Sequence, residues 1–183
     1  TQPYSISGSC LPCGGDAASQ MGIYTTLKSP FGDLHVVVNG NVLIAAGFGD
    51  LDSLLFRLKR EKGIEPKSVR QIAWLSKTWS DYLDGDMESL TTFKWEQNGG
   101  PFQHKAWKVM TKIKAGKVLT YAELAKKSGS PKAVRAAGTA CSSNLIAPFI
   151  PCHRIIGSNG GLGGYGYGVD LKEKLLIHEG ALD

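Results

Sequence analysis

Four consecutive residues, Pro151-Cys152-His153-Arg154, carry the side chains from which reactive thiol chemistry is built. A cysteine becomes a strong nucleophile when it ionises, and a neighbouring histidine is a base that can take its proton. Proline fixes its own backbone and favours an extended conformation at the residue before it, so the thiol leaves the apolar run Ile146–Ile150 in a defined direction. We therefore predict an activated thiolate at the tip of a buried strand. An inert, buried structural cysteine is the alternative.

The other cysteines, Cys10, Cys13 and Cys141, favour neither a disulfide framework nor a metal site. Four unevenly spaced cysteines are too few for a secreted disulfide scaffold, and an unpaired nucleophilic thiol needs a reducing compartment. We expect a cytoplasmic protein, or a nuclear one in a eukaryote. Cys10 and Cys13 have the spacing of half a zinc site, but no second ligand pair follows, so we expect no metal and no cofactor. The Ser/Gly/Pro-rich residues around them predict a flexible leader over residues 1–22.

Composition limits the partners that the protein can have. The chain has 183 residues, 42% of them hydrophobic, which is enough for one substantial core or two small ones. No apolar run is long enough to span a bilayer, so we expect no membrane partner. The net charge of +5 favours an acidic partner, and nucleic acid is the commonest one.

The elements that must position the thiol fall into two parts. From residue 24 to residue 49, alternating apolar residues around an Asn-Gly turn predict a β-hairpin. Helical spacing of leucines then predicts a helix over Leu51–Lys62, ended by glycine, and a second helix over Ser68–Leu83. Residues 90–100 are predicted to connect this part to the second one, and they carry no residues of obvious chemical function. The first part is therefore a small α+β unit.

The second part is predicted to be mainly helical and to contain a helix-turn-helix. Thr120 can cap a helix over Tyr121–Lys127, with Glu123 in the position of a capping box. After a glycine turn, Ser130 can cap a second helix that runs to about Cys141. The predicted fold class is α+β with two subdomains, a small N-terminal hairpin, sheet and helix unit and a mainly helical C-terminal domain that holds the helix-turn-helix and the active-site cysteine.

The second helix of this motif is almost bare of large side chains, which indicates close approach to another surface. That surface could be a neighbouring helix in the core, or a DNA groove where nearby cations meet phosphates. The residues that carry this pattern are Lys132, Ala133, Arg135, Ala136, Ala137, Gly138 and Ala140.

The segment from Pro101 to Gly180 closely resembles the C-terminal domain of the O6-alkylguanine-DNA alkyltransferases, the methylated-DNA–protein-cysteine methyltransferases. The match keeps the family's order and spacing, whereas the first hundred residues resemble the family only in layout. The matching pieces are Gly100-Pro101-Phe102-Gln103, Trp107, Gly116-Lys117-Val118, Thr120-Tyr121, Pro131-Lys132-Ala133-Val134-Arg135-Ala136, Asn144, Ile150-Pro151-Cys152-His153-Arg154-Ile155-Ile156, Gly163-Gly164-Tyr165, Lys172, Leu175-Leu176 and His178-Glu179-Gly180.

This resemblance implies a catalytic role for five residues. Cys152 would accept the alkyl group from guanine O6, and His153 would act as its base through a water molecule. Glu179 would hold the other nitrogen of the imidazole, as the third member of a triad does. Asn144 would join the recognition helix to the active-site strand and order the water, and the Tyr121 hydroxyl would stabilise the leaving base.

The resemblance also implies how the lesion is bound and how the chain is divided. The partner would be double-stranded DNA containing O6-alkylguanine, with the damaged nucleotide flipped out and Arg135 in its place. The chain would be a monomer in solution, and cooperative assembly on DNA is left open. A ribonuclease-H-like domain would cover residues 23–98 and the DNA-binding alkyltransferase domain residues 99–183. The DNA-binding residues would be Arg135, Lys132, Ala133, Ala136, Tyr121 and Ser158, and the guanine pocket would comprise Pro148, Tyr165, Gly166, Tyr167 and Gly163.

One residue departs from the commonest family pattern. Many members carry glycine where this chain has Tyr167, although some bacterial members carry a large aromatic residue. We expect Tyr167 to narrow the pocket, so that methyl adducts react faster than benzyl adducts.

Three other functions are weighed against alkyl transfer. The alkyltransferase-like damage binders lack the acceptor cysteine, so the presence of Cys152 argues against that class. A helix-turn-helix transcription factor switched by methylation would need a larger zinc-binding leader than Cys10 and Cys13 supply. A cysteine hydrolase would need an oxyanion hole, and no such pattern accompanies the thiol.

Overall fold

The computed structural model describes residues 22–183. The predicted flexible leader therefore lies, up to residue 21, outside the described residues, as do Cys10 and Cys13.

A five-stranded sheet forms the N-terminal part and confirms the predicted hairpin. Three strands build an antiparallel meander with a bulge at Val37/Val38, and two short strands add in parallel at its edges. The spatial order is β4-β1-β2-β3-β5. The strands are β1 (Ile23–Leu27), β2 (Leu34–Asn39), β3 (Val42–Phe48), β4 (Lys67–Ser68) and β5 (Lys94–Trp95).

Within residues 22–183, two α-helices lie in the N-terminal part with the sheet and four more lie in the C-terminal part, which confirms the α+β class. The predicted helix over Leu51–Lys62 is confirmed at both ends: the Asp50 carboxylate accepts from the first-turn amides, and Gly63 adopts φ +66° beyond the last turn. The helices are α1 (Leu51–Lys62), α2 (Ala73–Leu83), α3 (Pro101–Thr111), α4 (Tyr121–Lys127), α5 (Val134–Ser143) and α6 (Val169–His178).

Side chains alternate between the two faces of the sheet along each strand, so each face packs against a different set of residues. On β2, Val37 packs with Leu54 and Leu58 of α1 on one face. Val36 and Val38 point to the opposite face, into the main core that also holds Cys152. The thiol and the sheet therefore share one continuous apolar core.

The predicted helix over Ser68–Leu83 is wrong at its start. Residues 67 and 68 form strand β4, because the Lys67 amide donates to Gly22 O at 2.9 Å and the Val69 amide donates to Tyr24 O at 2.9 Å. Sheet pairing with a strand 44 residues earlier in the chain therefore displaces the helix, which begins at Ala73. Local periodicity carries no information about that distant partner.

Two short pairings fix the segment around the thiol. The Ala46 amide of β3 donates to Leu145 O at 2.7 Å, and the Ala147 amide donates back to Ala46 O at 3.2 Å. Beyond the thiol, β7 (Ile155–Ile156) pairs in parallel with β6 (Leu119–Thr120), which leads directly into α4. The chain that carries Cys152 is thus held by the sheet on one side and by the start of the helix-turn-helix on the other.

Candidate active site

Cys152 is buried, with 7% of its surface exposed, but it does not lie at the tip of a strand. That prediction is wrong: Cys152–Arg154 form a 3₁₀ turn, and the apolar run before it is a buried loop in which Ile146 alone makes a sheet-like bridge. The loop follows the edge of β3 only briefly because Pro148 and Pro151 have no amide to donate to a ladder. The turn is what delivers the thiol into the core.

His153, Arg154 and Glu179 form a buried ionic network behind the thiol. The fully buried His153 ring contacts Glu179 Oε1 through Nε2 at 2.7 Å. Arg154 donates from Nε to Oε1 at 2.9 Å and from Nη2 to Oε2 at 2.6 Å, while its Nη1 donates to Ile113 O. The Tyr82 hydroxyl donates to Oε2 at 3.1 Å. The carboxylate at the end of α6 therefore has four hydrogen-bonding contacts.

The electrostatics of this network select one form of the imidazole. Burial alone would raise the pKa of Glu179, but the hydrogen bonds from His153 and Arg154 and the Arg154 charge outweigh it and hold that pKa well below its usual range. Burial lowers the pKa of His153. A neutral imidazole beside a carboxylate donates from Nε2–H, so Nδ1 carries the lone pair. Nδ1 is buried and has no hydrogen-bond partner among residues 22–183.

The thiol itself is harder to ionise than the sequence predicts. Burial raises the pKa of Cys152, and the Asn144 amide and the Lys172 ammonium offset this only in part. Burial therefore keeps the thiol of the free protein protonated at neutral pH. Ionisation requires a base that removes the proton.

Lys172 is a buried cation next to the thiol. It is 0% exposed, forms no salt bridge within residues 22–183, and donates from Nζ to Ile155 O and Gly164 O. Burial lowers the pKa of Lys172, and negative charge on Cys152 or Cys141 would raise it. Carbonyl dipoles alone compensate this ammonium in the resting protein, and a Cys152 thiolate would add an opposite charge.

Asn144 joins the end of α5 to the loop that carries the thiol. It is the C-cap of α5, and its Nδ2 donates to Ile150 O at 2.9 Å. Its Oδ1 accepts from the Ile146 amide at 3.1 Å and from Gln97 Nε2 at 3.0 Å. The amide also lies close enough to the Cys152 sulfur to favour its thiolate, although no N–H···S hydrogen bond of good geometry joins them.

The helix-turn-helix is formed by α4 and α5. The predicted capping box is confirmed: Glu123 N donates to Thr120 Oγ1 at 3.1 Å, and the Thr120 amide donates to Glu123 Oε2 at 2.7 Å. Ser130 does not cap the second helix, which begins at Val134. The Ser130 carbonyl instead accepts from the Ala133 amide at 2.9 Å and closes a turn over the intervening residues.

The predicted DNA-binding residues lie together around this motif. Lys132 and Arg135 are exposed, while Ala133 and Ala136 are half-buried. A cavity of about 440 Å³ is bounded by Tyr121 at the start of α4, by α5 and by the loop at Ser158. The residues that line it are Tyr121, Ala122, Val134, Gly138, Gly157, Ser158 and Asn159.

Two tyrosines lie beside the thiol in the loop before α6. Burial first, and then the Cys152 charge, raise the pKa of Tyr165 and raise that of Tyr167 to about 12. Their rings meet edge to face at 5.4 Å, and the Tyr165 hydroxyl has no partner among residues 22–183. Tyr167 also packs edge to face on Phe48 at 5.9 Å, and a Cβ at Gly47 would approach its hydroxyl to 2.5 Å. Tyr167 is therefore wedged against β3.

The remaining predicted pocket residues occupy the same region with less contact. Gly163 meets Tyr121, because a Cβ there would lie 3.0 Å from the tyrosine hydroxyl, and its φ of +73° also favours glycine. Gly166 is exposed, and Pro148 is buried in the loop that precedes the thiol.

Four residues of the site carried no predicted role. Arg154 and Lys172 belong to matching motifs, but only burial shows what they do. Tyr82 and Gln97 come from the N-terminal part, 97 and 47 residues away from their partners Glu179 and Asn144. No sequence signal connects such positions in a single chain.

Within residues 22–183 no group of three or more His, Cys, Asp or Glu side chains is placed to hold a metal ion. No helix in that range is long and apolar enough to cross a membrane.

Comparison with known proteins gives a consistent result. A family model described as 6-O-methylguanine DNA methyltransferase, DNA binding domain, matches residues 101–181. The methylated-DNA–protein-cysteine methyltransferase of Salmonella typhimurium is 37% identical over 161 residues, covering 85% of this chain and 94% of its own. That of Kluyveromyces lactis is 47% identical over 136 residues, covering 68% and 72%. The crystal structure of Mycobacterium tuberculosis OGT in complex with DNA has a TM-score of 0.69 at 30% identity, covering 87% and 93%.

Proposed function

Since the chain belongs to the family of methylated-DNA–protein-cysteine methyltransferases, we propose that it repairs DNA by direct reversal, moving the alkyl group of O6-alkylguanine onto its own Cys152. The observation that carries this assignment is the buried thiol followed directly by a histidine whose Nε2 is held by Glu179 and whose Nδ1 is unpartnered. This arrangement supplies a nucleophile and an oriented base in a buried site.

The transfer is a single displacement that balances without a cofactor. The Cys152 sulfur attacks the carbon attached to guanine O6 and a C–S bond forms. The C–O bond breaks, and its electron pair goes to guanine O6. The products are a thioether on the protein and, after the guanine anion takes up one proton to replace the one removed from the thiol, an unmodified guanine. Because a thioether has no simple route back to the thiol, each molecule acts once.

His153 removes the thiol proton. Nδ1 carries the lone pair in the form that Glu179 selects, and a bridging water passes the proton from sulfur to Nδ1. The raised pKa of the buried Cys152 makes this step necessary. The imidazolium that results is stabilised by the Glu179 carboxylate, and the new thiolate gains Lys172 as a counter-charge. Asn144 positions the loop that carries the Cys152 sulfur.

The helix-turn-helix delivers the base. A guanine stacked in a duplex cannot reach a buried thiol, so the nucleotide is flipped out, and Arg135 on α5 takes its place in the stack. Lys132, Ala133, Ala136 and Ser158 contact the DNA around it. The Tyr121 hydroxyl, between α5 and the Gly163 loop, donates to the departing guanine as negative charge develops on it. Pro148, Tyr165 and Gly166 complete the pocket.

The division into a ribonuclease-H-like domain over residues 23–98 and an alkyltransferase domain over residues 99–183 is part of the proposal. It is supported by the sheet that lies entirely before residue 96 and by the family model that begins at residue 101. The partner is duplex DNA, as in the DNA complex of the M. tuberculosis relative. A monomer in a reducing compartment, the cytoplasm or a nucleus, suits a reaction that consumes one thiol per lesion.

Mass spectrometry after incubation with a duplex containing one O6-methylguanine tests the assignment. We expect one added methylene on the peptide that contains Cys152, loss of the lesion, and no second turnover. Cys152→Ala is the matched control, and it should bind the duplex but leave the lesion intact. An unmodified wild-type protein that binds the lesion tightly would instead make it a damage sensor.

Tyr167 is expected to set the size of alkyl group that reacts well. Because its ring is wedged between Phe48 and Tyr165 and its hydroxyl meets Gly47, it cannot swing aside for a benzyl group. Wild type should therefore transfer methyl much faster than benzyl, and Tyr167→Gly should speed benzyl transfer about tenfold or more. Phe56→Ala removes an exposed ring on α1 and should change neither rate. Comparable methyl and benzyl rates in the wild type would contradict the idea.

A further inference from the structure

A long stretch before the helix-turn-helix is basic throughout. Between Glu96 and Glu123 the chain has five lysines and no acidic residue, and the stretch includes the whole of α3. The proposed repair reaction uses none of these lysines. They are Lys105, Lys108, Lys112, Lys114 and Lys117.

Two of these cations lie on the outer face of α3, and a third at its C-cap, Lys112, continues the same stripe. Lys105, Lys108 and Lys112 are all exposed and follow the i, i+3, i+7 spacing of one helical face. The buried residues of the same helix, Ala106, Trp107 and Met110, point the opposite way, roughly 180° around the axis at about 100° per residue. We call Lys105, Lys108 and Lys112 the α3 stripe.

The α3 stripe faces away from the proposed DNA-reading surface. The inner face of α3 packs under α5, where Trp107 Nε1 donates to Ala140 O at 2.9 Å and Gln103 Nε2 donates to Ser143 Oγ at 3.0 Å. On α5, Arg135 lies roughly 140° around the axis from Ala140. The recognition helix α5 therefore presents Arg135 on one side and packs against α3 on the other. The α3 stripe lies on the far side of α3, so one straight duplex cannot touch both surfaces.

The lysines of the α3 stripe form no salt bridge within residues 22–183, whereas three exposed lysines of the N-terminal part do. In the N-terminal part, Lys28, Lys59 and Lys77 each form a salt bridge with a carboxylate at 2.7 to 2.8 Å. Within residues 22–183 no lysine of the α3 stripe forms one. The basic surface continues around a cavity of about 540 Å³ between the ends of α3 and α4, which Lys114, Lys117 and Lys127 help to line. Uncompensated, clustered cations fit a polyanion.

We propose that the α3 stripe is a second DNA-binding surface, which engages the phosphate backbone of another duplex segment while α5 holds the first. The proposal rests on the proposed function, because it assumes that α5 reads DNA. Phosphates are the expected ligand because the stripe offers charge without the aromatic or amide groups that read bases. Two opposed DNA surfaces let a searching protein pass directly from one segment to another.

Direct transfer has a kinetic signature. A complex with a labelled, lesion-free short duplex is mixed with increasing unlabelled duplex, and the release of the label is followed by fluorescence anisotropy. If a second duplex binds before the first leaves, the release rate rises with competitor concentration. We expect this rise for wild type and a severalfold weaker one for the triple variant Lys105→Gln, Lys108→Gln, Lys112→Gln. A plot of log DNA affinity against log salt concentration should also be less steep for this variant, by about 0.9 in slope per lost phosphate contact.

The matched control removes the same number of charges from paired positions. Lys28→Gln, Lys59→Gln, Lys77→Gln should keep the wild-type dependence on competitor. Methyl transfer to Cys152 on a short duplex should be unchanged in both triple variants, so a failure of the repair reaction would be seen separately. A wild-type release rate independent of competitor, or a stripe variant that behaves as wild type, overturns the proposal. So does self-association without DNA that the stripe variant loses, because the surface would then bind a second copy.

Discussion

Glu179→Gln is expected to melt about 10 °C lower than wild type and to transfer methyl about 10²- to 10⁴-fold more slowly. The substitution keeps the shape of the side chain but leaves Arg154, 3% exposed, without its buried counter-charge. Breaking a buried pair in this way costs about 3–5 kcal/mol, and about 1 kcal/mol shifts Tm by roughly 2–4 °C at this chain length. The loss of rate is the contribution that a positioned general base makes.

The rate falls because the imidazole loses its orientation and its counter-charge together. Without the carboxylate, Nε2 has no strong acceptor, so the neutral form with a free Nδ1 is no longer selected. The imidazolium formed when the thiol ionises also lacks its partner. Single-turnover transfer measures the loss of rate, and thermal melting independently measures the loss of stability.

Tyr82→Phe is the matched milder variant. It removes only the 3.1 Å hydrogen bond from the Tyr82 hydroxyl to Glu179 Oε2 and leaves both ionic contacts in place. We expect a loss of about 1.5–3 kcal/mol and a transfer rate close to wild type. A Glu179→Gln variant that melts and reacts like wild type would show that the network is not required. If that variant fails to fold, Tyr82→Phe still tests whether contacts to the carboxylate stabilise the fold.

The same carboxylate predicts how stability depends on pH. Because the folded-state pKa of Glu179 lies below its unfolded value, the folded state binds fewer protons in acid than the unfolded state does. The stabilisation is fully present above the unfolded pKa of about 4.3 and is lost as pH falls towards the folded pKa. The Tm difference between wild type and Glu179→Gln should therefore be constant near neutral pH and narrow below about pH 4. A gap that widens in acid would contradict the assignment.

Methylation of Cys152 is expected to lower the melting temperature of the protein. The thiol lies in the main core, and its turn is tied to the end of α5 through Asn144 and Ile150. An added methyl group must displace close-packed neighbours, and overpacking of this kind costs about 1–3 kcal/mol. At this chain length the loss corresponds to roughly 2–12 °C in Tm.

The effect of the methyl group on Tm must be measured apart from any effect of the DNA that delivers it. Protein reacted with an O6-methylguanine duplex and then freed of DNA is melted beside protein treated with the same duplex without the lesion. Cys152→Ala put through both treatments should give two identical curves. An unchanged or raised Tm in the methylated protein would show that the pocket already has room for the group, and the crowding argument would fail.

Local sequence determined the chemistry and much of the architecture. The adjacency of Cys152 and His153, the capping box of Thr120 and Glu123, and the Asn-Gly hairpin each depend on residues a few positions apart, and short-range sterics and hydrogen bonds decide them. The alkyltransferase resemblance rests on the same kind of local motif. These features could be predicted because neighbours in sequence are also neighbours in space.

Only the tertiary structure decided the properties that depend on burial and on distant partners. Lys67 and Ser68 became a strand because β1 lay beside them, and Ser130 closed a turn instead of capping a helix. The pKa of Cys152 is raised, not lowered, because the folded core removes water from the thiol, and no residue pattern reports that desolvation. Tyr82 reaches Glu179 across 97 positions. Packing of the whole chain sets such contacts and the local dielectric, so the sequence read locally could name the nucleophile but not its protonation state.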